Sequence, residues 1–320
     1  MNKELKDKRI NDLIALFTKG QIDKCISQGK KVLKMYPNEP FLFNILGITH
    51  AAKGLFAESL NYYEKAIGLN PSYFEVFNNM GVAYNDWKKP KEAISCLKKA
   101  IGIQPSYAEA FNNIGNSYKE LSDFDNAVIS YKKAIDLAPT YTDALCNLGI
   151  CWSLQEKYEQ AEAAYKKALE IDPGQLKTRY YLGDLYFGMG KYLLVRSCLL
   201  EFVDSSSRDP EIYNLIGKSY QKEGSIKALY YYRKALALNN KNEETLNNIG
   251  SFLYEKRKLN GAISYFKKSL EIFLFTVTRY SFSCLYLDLR ILFTISPSLV
   301  SNINPSLNLS NLPIGNILLL

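Results

Sequence analysis

Residues Phe77–Tyr84 read FNNMGVAY, and residues Phe111–Tyr118 read FNNIGNSY. The two octets lie 34 residues apart. The same offset runs through a glycine column, Gly47, Gly81, Gly115, Gly149, Gly183 and Gly217, with Gly250 one step of 33 further on. A proline column (Pro37, Pro71, Pro105, Pro139, Pro173) and an aromatic column (Tyr84, Tyr118, Trp152, Tyr186, Tyr220) keep the same register. Self-similarity at a fixed period of this size marks a chain of stacked supersecondary units.

Within a unit the apolar residues recur at helical spacing. Phe111, Ile114, Tyr118 and Leu121 fall on one face of a first helix. A break follows at Ser122, written SDFD. Phe124, Ala127, Val128, Tyr131, Ala134 and Ile135 then form the face of a second helix, which Pro139 stops. Each unit is therefore a helix, a turn and a helix. Glycine inside a helix costs about 1 kcal/mol relative to alanine. One per unit implies a close crossing, and the expected partners are small residues early in the second helix: Ser59, Ala93, Ala127, Ala161, Ala228 and Ala262.

These residues, as in AFNNIGNSY…NAVISYKKAIDLAP from Ala110 to Pro139, resemble the tetratricopeptide repeat family. The resemblance implies an all-α, right-handed superhelical solenoid of about eight helix-turn-helix units. Residues 1–39 read as a degenerate first repeat or N-terminal cap. The array spans 40–272, with units near 40, 74, 108, 142, 176, 210 and 243. Two units depart from the pattern. The one near 176 closes on CLLEFVDSSSRDP, and the one near 210 lacks a residue in its turn, EGSIKAL. An irregularity in the stack is expected around 200–228, either a hinge or ordinary repeat drift.

Residues 273–320 form an atypical, hydrophobic tail with three charged residues, Arg279, Asp288 and Arg290. A membrane anchor is one reading, although those charges leave no run of about 20 apolar residues. A hydrophobic cap on the last repeat is another. The third is sequence that is not native coding, from a frameshift or a lost continuation. The abrupt change in mid-motif favours this one.

The chain has 320 residues, 47% hydrophobic and 22% charged, with a net charge of +8. Six scattered cysteines and a start without an apolar signal core fit a reduced, cytoplasmic setting. A single histidine, His50, excludes any chemistry that needs two, and a core role suits it. Cys146 and Cys151 share one helix and read as packing residues. There is no phosphate-binding glycine loop, no catalytic constellation and no metal knuckle. The chain is read as non-catalytic, with no cofactor and no metal. Lysine pairs such as Lys98-Lys99, Lys132-Lys133 and Lys166-Lys167 belong to the outer helices. They read as a solvated face rather than a nucleic-acid track.

By the geometry of the family that the chain resembles, positions 2, 5, 6, 9, 12 and 13 of each unit face a concave groove. Asparagines gather there: Asn44, Asn78, Asn112, Asn214 and Asn247 at position 5, Asn79, Asn113, Asn147 and Asn248 at position 6, and Asn116 at position 9. Each amide offers a donor and an acceptor, the pair that a peptide backbone also presents. Asn79, Asn113 and Asn147 match the asparagine ladder of arrays attached to protein glycosyltransferases. The alternative is that these asparagines bond neighbouring helices. A carboxylate clamp needs basic residues at positions 5, 6 and 2, and Lys177 alone supplies one. The resemblance thus implies a non-catalytic scaffold that binds a protein or peptide in the groove. The competing expectation is the substrate-recognition arm of a larger glycosyltransferase or sulfotransferase. An uncapped end near residue 272 would leave a face open to self-association.

Overall fold

The computed structural model describes residues 3–203 and 209–280. All regular structure among them is helical. The helices pair into hairpins: α1 (Lys3–Thr18) with α2 (Ile22–Met35), α3 (Pro40–Ala52) with α4 (Phe56–Leu69), α5 (Phe74–Asp86) with α6 (Pro90–Ile103), and α7 (Ala108–Glu120) with α8 (Phe124–Leu137). There follow α9 (Thr142–Leu154) with α10 (Tyr158–Ile171), α11 (Leu176–Gly188) with α12 (Tyr192–Val203), α13 (Pro210–Lys222) with α14 (Lys227–Leu238), and α15 (Glu243–Glu255) with α16 (Leu259–Tyr280).

The chain divides into two compact units, Met1–Leu185 and Tyr186–Leu320. Each is an all-α solenoid of stacked hairpins. In the first, α3, α5, α7 and α9 touch in succession, so the first helices of consecutive hairpins share one side. In the second, α13 and α15 do the same.

The glycine column has a physical cause. A Cβ on Gly47, Gly115 or Gly149 would lie 2.4–2.5 Å from the ring of Tyr63, Tyr131 or Tyr165. On Gly217 it would lie 2.6 Å from the ring of Tyr232, and on Gly250 2.6 Å from Phe266. Gly81 meets Leu97 in the same way. The expected partners therefore need correction. The group over each glycine is a large side chain, one helical turn beyond Ser59, Ala127, Ala161 and Ala228. Those small residues are buried beside the crossing. Ser59 marks the place, donating its Oγ to the Gly47 carbonyl at 2.8 Å.

The first hairpin reverses this arrangement. Leu13 stands where the other units have glycine, and Gly29 stands where they have the ring. The added Cβ of Gly29 would meet Leu46 and Leu13. Cys25 donates its thiol to the Leu13 carbonyl, as Ser59 does to Gly47. Large and small have changed places across one crossing.

Every turn inside a hairpin contains one residue in the left-handed region: Gly20, Gly54, Lys88, Ser122, Glu156, Gly190, Gly224 and Arg257, with φ from +57 to +77. The residue after it donates its N–H back to the first helix, as Lys89 does to Tyr84 and Lys157 to Trp152. At the ends of second helices, Asn70, Gln104 and Asp172 have φ near −141, −125 and −127. The proline that follows each of them disfavours helix there.

The residue missing from the seventh unit is absorbed at its turn. α14 begins with Ile226 as an αR cap and has 12 residues, against 14 in α8. Tyr232 still covers Gly217. The remainder of the expected irregularity falls on 204–208, outside the described residues. The readings of the tail concern a segment that, from residue 281, also lies outside them. α16 itself runs to Tyr280, 22 residues in all.

Candidate binding face

The face formed by α3, α5, α7 and α9 carries an asparagine network. Asn79 donates its Nδ2 to Asn44 Oδ1 at 3.0 Å, Asn113 to Asn78 at 2.9 Å, and Asn147 to Asn112 at 3.0 Å. In the second compact unit Asn248 donates to Asn214 at 3.0 Å. Each bond joins position 6 of one hairpin to position 5 of the hairpin before it.

Sequence and geometry agree at the four bonded junctions. Wherever position 5 is asparagine, position 6 of the following unit is asparagine too: 44 with 79, 78 with 113, 112 with 147, and 214 with 248. The other three junctions read Ile10 with Ile45, Cys146 with Tyr181, and Tyr180 with Leu215. The pair behaves as one object, a clasp between repeats. A lone buried amide would lose about 1–3 kcal/mol of unpaid hydrogen bonding, so the two asparagines come together or not at all.

The sequence-predicted residues thus occupy different depths. Asn78 is fully buried, Asn112, Asn113 and Asn147 are nearly so, and Asn79 and Asn248 are half-buried. Asn78 and Asn112 hold the asparagines of the next hairpin. Asn78 also donates to Glu109 Oε1 at 3.1 Å, and the same carboxylate accepts the Tyr107 hydroxyl at 3.0 Å. Asn116 Oδ1 accepts the Tyr131 hydroxyl at 2.8 Å. Asn247 is exposed on α15.

The structure brings Asn113, Asn116 and Asn147 to the wall of one open depression of about 290 Å³. Val82, Asn85, Asp86, Lys88, Lys119, Glu120 and Lys177 complete it, from α5, α7, α9, α11 and one turn. Lys88 pairs with Glu120 at 3.3 Å. Burial raises the Asp86 carboxyl above its ordinary range, with Lys88 working in the opposite direction. A second hollow of about 170 Å³ shares Val82 and Asp86. It is lined by Ile48, Ala51, Ala52, Tyr63, Ala83 and Asn79. A polar cleft therefore abuts an apolar one. Each clasped position-6 amide has used one of its two N–H groups, which leaves a second N–H; Asn113 Oδ1 accepts the Asn112 amide at 3.5 Å, whereas the side-chain oxygens of Asn79 and Asn147 are not used in this way.

Sequence reasoning missed Asn85. Its Oδ1 accepts the Ser117 hydroxyl at 2.9 Å and forms a second link between hairpins. Its signal was faint, because position 12 is asparagine in one unit alone.

The cleft contains no activated nucleophile. Cys146 and Cys151 are buried, and burial pushes the Cys151 thiol up to about 11. His50 is buried, bonded through Nδ1 to the Leu46 carbonyl at 2.6 Å and packed 4.7 Å from the Tyr62 ring. Among the described residues no three His, Cys, Asp or Glu side chains stand close enough to hold a metal ion. Among them too, no helix is long and apolar enough to cross a membrane.

Comparison with known proteins follows the repeat register. Tetratricopeptide repeat profiles match residues 42–73, 74–107, 108–141, 142–175 and 244–273, together just over half of the chain. Three solved structures share the fold at low identity. A tetratricopeptide repeat protein from Parabacteroides merdae is 18% identical with a TM-score of 0.58, over 81% of this chain and 98% of that one. PilF of Pseudomonas aeruginosa is 20% identical with a TM-score of 0.55, over 64% and 94%. A thermophilic TPR protein of Thermus thermophilus is 23% identical with a TM-score of 0.51, over 57% and 99%. No curated protein matches the chain. The hairpin register, the glycine crossings and the matched profiles lead to one conclusion: the chain belongs to the tetratricopeptide repeat family.

Proposed function

We propose that the chain is a non-catalytic scaffold that holds an extended segment of a partner protein along the first-helix face of residues 40–185. One observation carries this reading. Asn113, Asn116 and Asn147 line a single open cleft with charged side chains from consecutive hairpins, next to the apolar hollow at Asn79. The amides left over from the clasps bond the partner's backbone N–H and carbonyl groups. The hollow at Ile48 and Val82 takes an apolar side chain. Asn78 and Asn112 act at second hand by fixing the orientation of Asn113 and Asn147, and Asn248 plays the corresponding part over α13 and α15. Recognition of this kind depends on sequence mainly where side chains enter the hollows.

The test is an array of 15-residue peptides probed with the full chain. Val82 is exposed on the shared wall of the two hollows. Val82→Arg is expected to weaken the peptides that bind by at least tenfold with melting unchanged, while Lys98→Glu on the opposite helices leaves them as they were. Binding that survives Val82→Arg and fails with Lys98→Glu would place the contact on the second helices and end this reading.

A further inference from the structure

The hollow beside Asn79 lacks a polar partner that the chain supplies elsewhere. Four glycine crossings are covered by a tyrosine, and two of the hydroxyls reach a side-chain amide. Tyr131 donates to Asn116 Oδ1 at 2.8 Å, and Tyr232 to Gln221 Oε1 at 2.7 Å. These amides stand at positions 9 and 12 of the first helix. In the hairpin of α3 and α4 the same positions are Ile48 and Ala51. Tyr63 is 1% exposed, and its hydroxyl donates to no described residue. The neighbouring Ser59 spends its own hydroxyl on the Gly47 carbonyl at 2.8 Å. A buried hydroxyl without an acceptor is costly, and open space stands where the amide is missing.

That space is the hollow of about 170 Å³, which Tyr63 lines. Ile48, Ala51, Ala52 and Val82 give it apolar walls. Asp86, exposed, completes it. The Asp86 carboxylate makes no hydrogen bond or ion pair with a described residue, and Lys88, the cation acting on it, is paired with Glu120. One small apolar space thus holds an O–H that lacks an acceptor and a carboxylate that lacks a donor.

We infer that the hollow takes a glutamine side chain of the bound segment. Its Oε1 accepts the Tyr63 hydroxyl, as Asn116 does for Tyr131. Its Nε2 donates to Asp86, and its two methylenes lie against Ile48 and Val82. The inference rests on the proposed binding of an extended segment to this face. It narrows the side chain entering the hollow to one with an apolar stem and a carboxamide end. A carboxamide carries acceptor and donor on separate atoms. A lysine ammonium has no acceptor for Tyr63, a glutamate meets the like charge of Asp86, and a leucine leaves both groups unpaired. Glutamine is preferred to asparagine because its longer stem reaches a hydroxyl on so deeply buried a residue.

The test starts from the array peptides that the full chain binds and Val82→Arg weakens. Each glutamine in them is replaced in turn by methionine, glutamate and lysine, and affinity is measured by fluorescence anisotropy. One glutamine is expected to be decisive: methionine or lysine in its place weakens binding about fivefold, and glutamate weakens it more. Tyr63→Phe in the chain costs a similar factor with unchanged melting, and this variant binds the methionine and glutamine peptides equally. Asp86→Asn restores most of the binding of the glutamate peptide. Binding peptides without such a glutamine, or in which methionine or lysine serves as well, overturn the inference and leave the scaffold reading standing. So does a glutamine whose full effect persists in Tyr63→Phe. If Val82→Arg weakens no peptide, the scaffold reading falls and this inference falls with it.

Discussion

Asn113 donates its side-chain amide to Asn78 at 2.9 Å, from position 6 of one hairpin to position 5 of the one before, and both residues are buried. This bond decides how the asparagine columns should be tested. Changing Asn113 alone leaves Asn78 Oδ1 buried and unpaired. Asn113→Leu is therefore expected to cost about 1–3 kcal/mol in urea unfolding. The double variant with Asn78→Leu is expected to cost less than the sum of the singles, with a coupling of about 0.5–3 kcal/mol. Strict additivity would mean that the two amides act independently. The chain would then gain nothing from having both at four junctions.

The same bond changes what replacing Asn79, Asn113 and Asn147 together can show. On sequence alone such a triple alanine variant is expected to keep its melting temperature and lose partner binding. The structure removes a hydrogen bond per substitution, so stability falls as well, by about 1 kcal/mol for each net bond. Binding must then be measured per folded molecule. Val82→Arg, which breaks no such bond, is the cleaner probe of the face.

A reciprocal exchange tests the glycine crossing. The absent Cβ of Gly149 would lie 2.5 Å from Tyr165 Cε1. Gly149→Leu overfills that crossing and is expected to cost about 1–3 kcal/mol or more, despite a helix-propensity gain of about 1 kcal/mol. The first hairpin already shows the opposite solution in Leu13 and Gly29. Adding Tyr165→Gly to Gly149→Leu should recover part of the loss in thermal melts. No recovery would show that the hand of the crossing is fixed by neighbours beyond this pair.

The hairpin turns offer a stabilising change. Glu156 has φ +59; its N–H donates to the Ser153 carbonyl at 3.0 Å, a bond that glycine would keep, and its side chain makes no hydrogen bond or ion pair with a described residue. The left-handed conformation costs an L-residue roughly 1–2 kcal/mol, and glycine occupies the equivalent place at Gly54 and Gly190. The greater unfolded-state entropy of glycine returns part of that gain. Glu156→Gly is expected to raise stability by about 0.5–1 kcal/mol in urea unfolding, and a loss of stability would contradict the turn geometry.

How much of this could be read from the sequence depended on whether a role kept one residue type. The glycine column was legible because nothing else fits beneath Tyr131. Its partner was not, because the ring position reads Tyr63, Leu97, Tyr131, Tyr165, Tyr232 and Phe266, and the nearby alanines form the more uniform column. The left-handed turn position escaped notice for the same reason: lysine, serine, glutamate, arginine and glycine all occupy it. The asparagines were legible as a column, but their pairing was not. A bond from position 6 to position 5 crosses between repeats, and a register aligned within repeats hides it.

Alkaline pH tests the core as a whole. Tyr63, Tyr131, Tyr165 and Tyr232 are buried over their glycines, and burial raises each phenol well above its ordinary value. Nearby carboxylates such as Asp86, Glu120, Asp184 and Glu255 push the same way. In the unfolded chain these tyrosines ionise near pH 10. Below that value both states hold the proton, and the stabilising contribution is complete. Above it the unfolded state releases protons that the folded state keeps, so stability falls as pH rises. The slope has an upper limit of about 1.4 kcal/mol per pH unit for each tyrosine. Urea midpoints measured between pH 9 and pH 11 should drop steeply, with little tyrosinate absorbance from these residues before unfolding. Tyr131→Phe keeps the ring and removes the phenol, so it should flatten the slope by about one tyrosine's share. An unchanged slope would mean that other groups, the surface lysines foremost, set the alkaline limit.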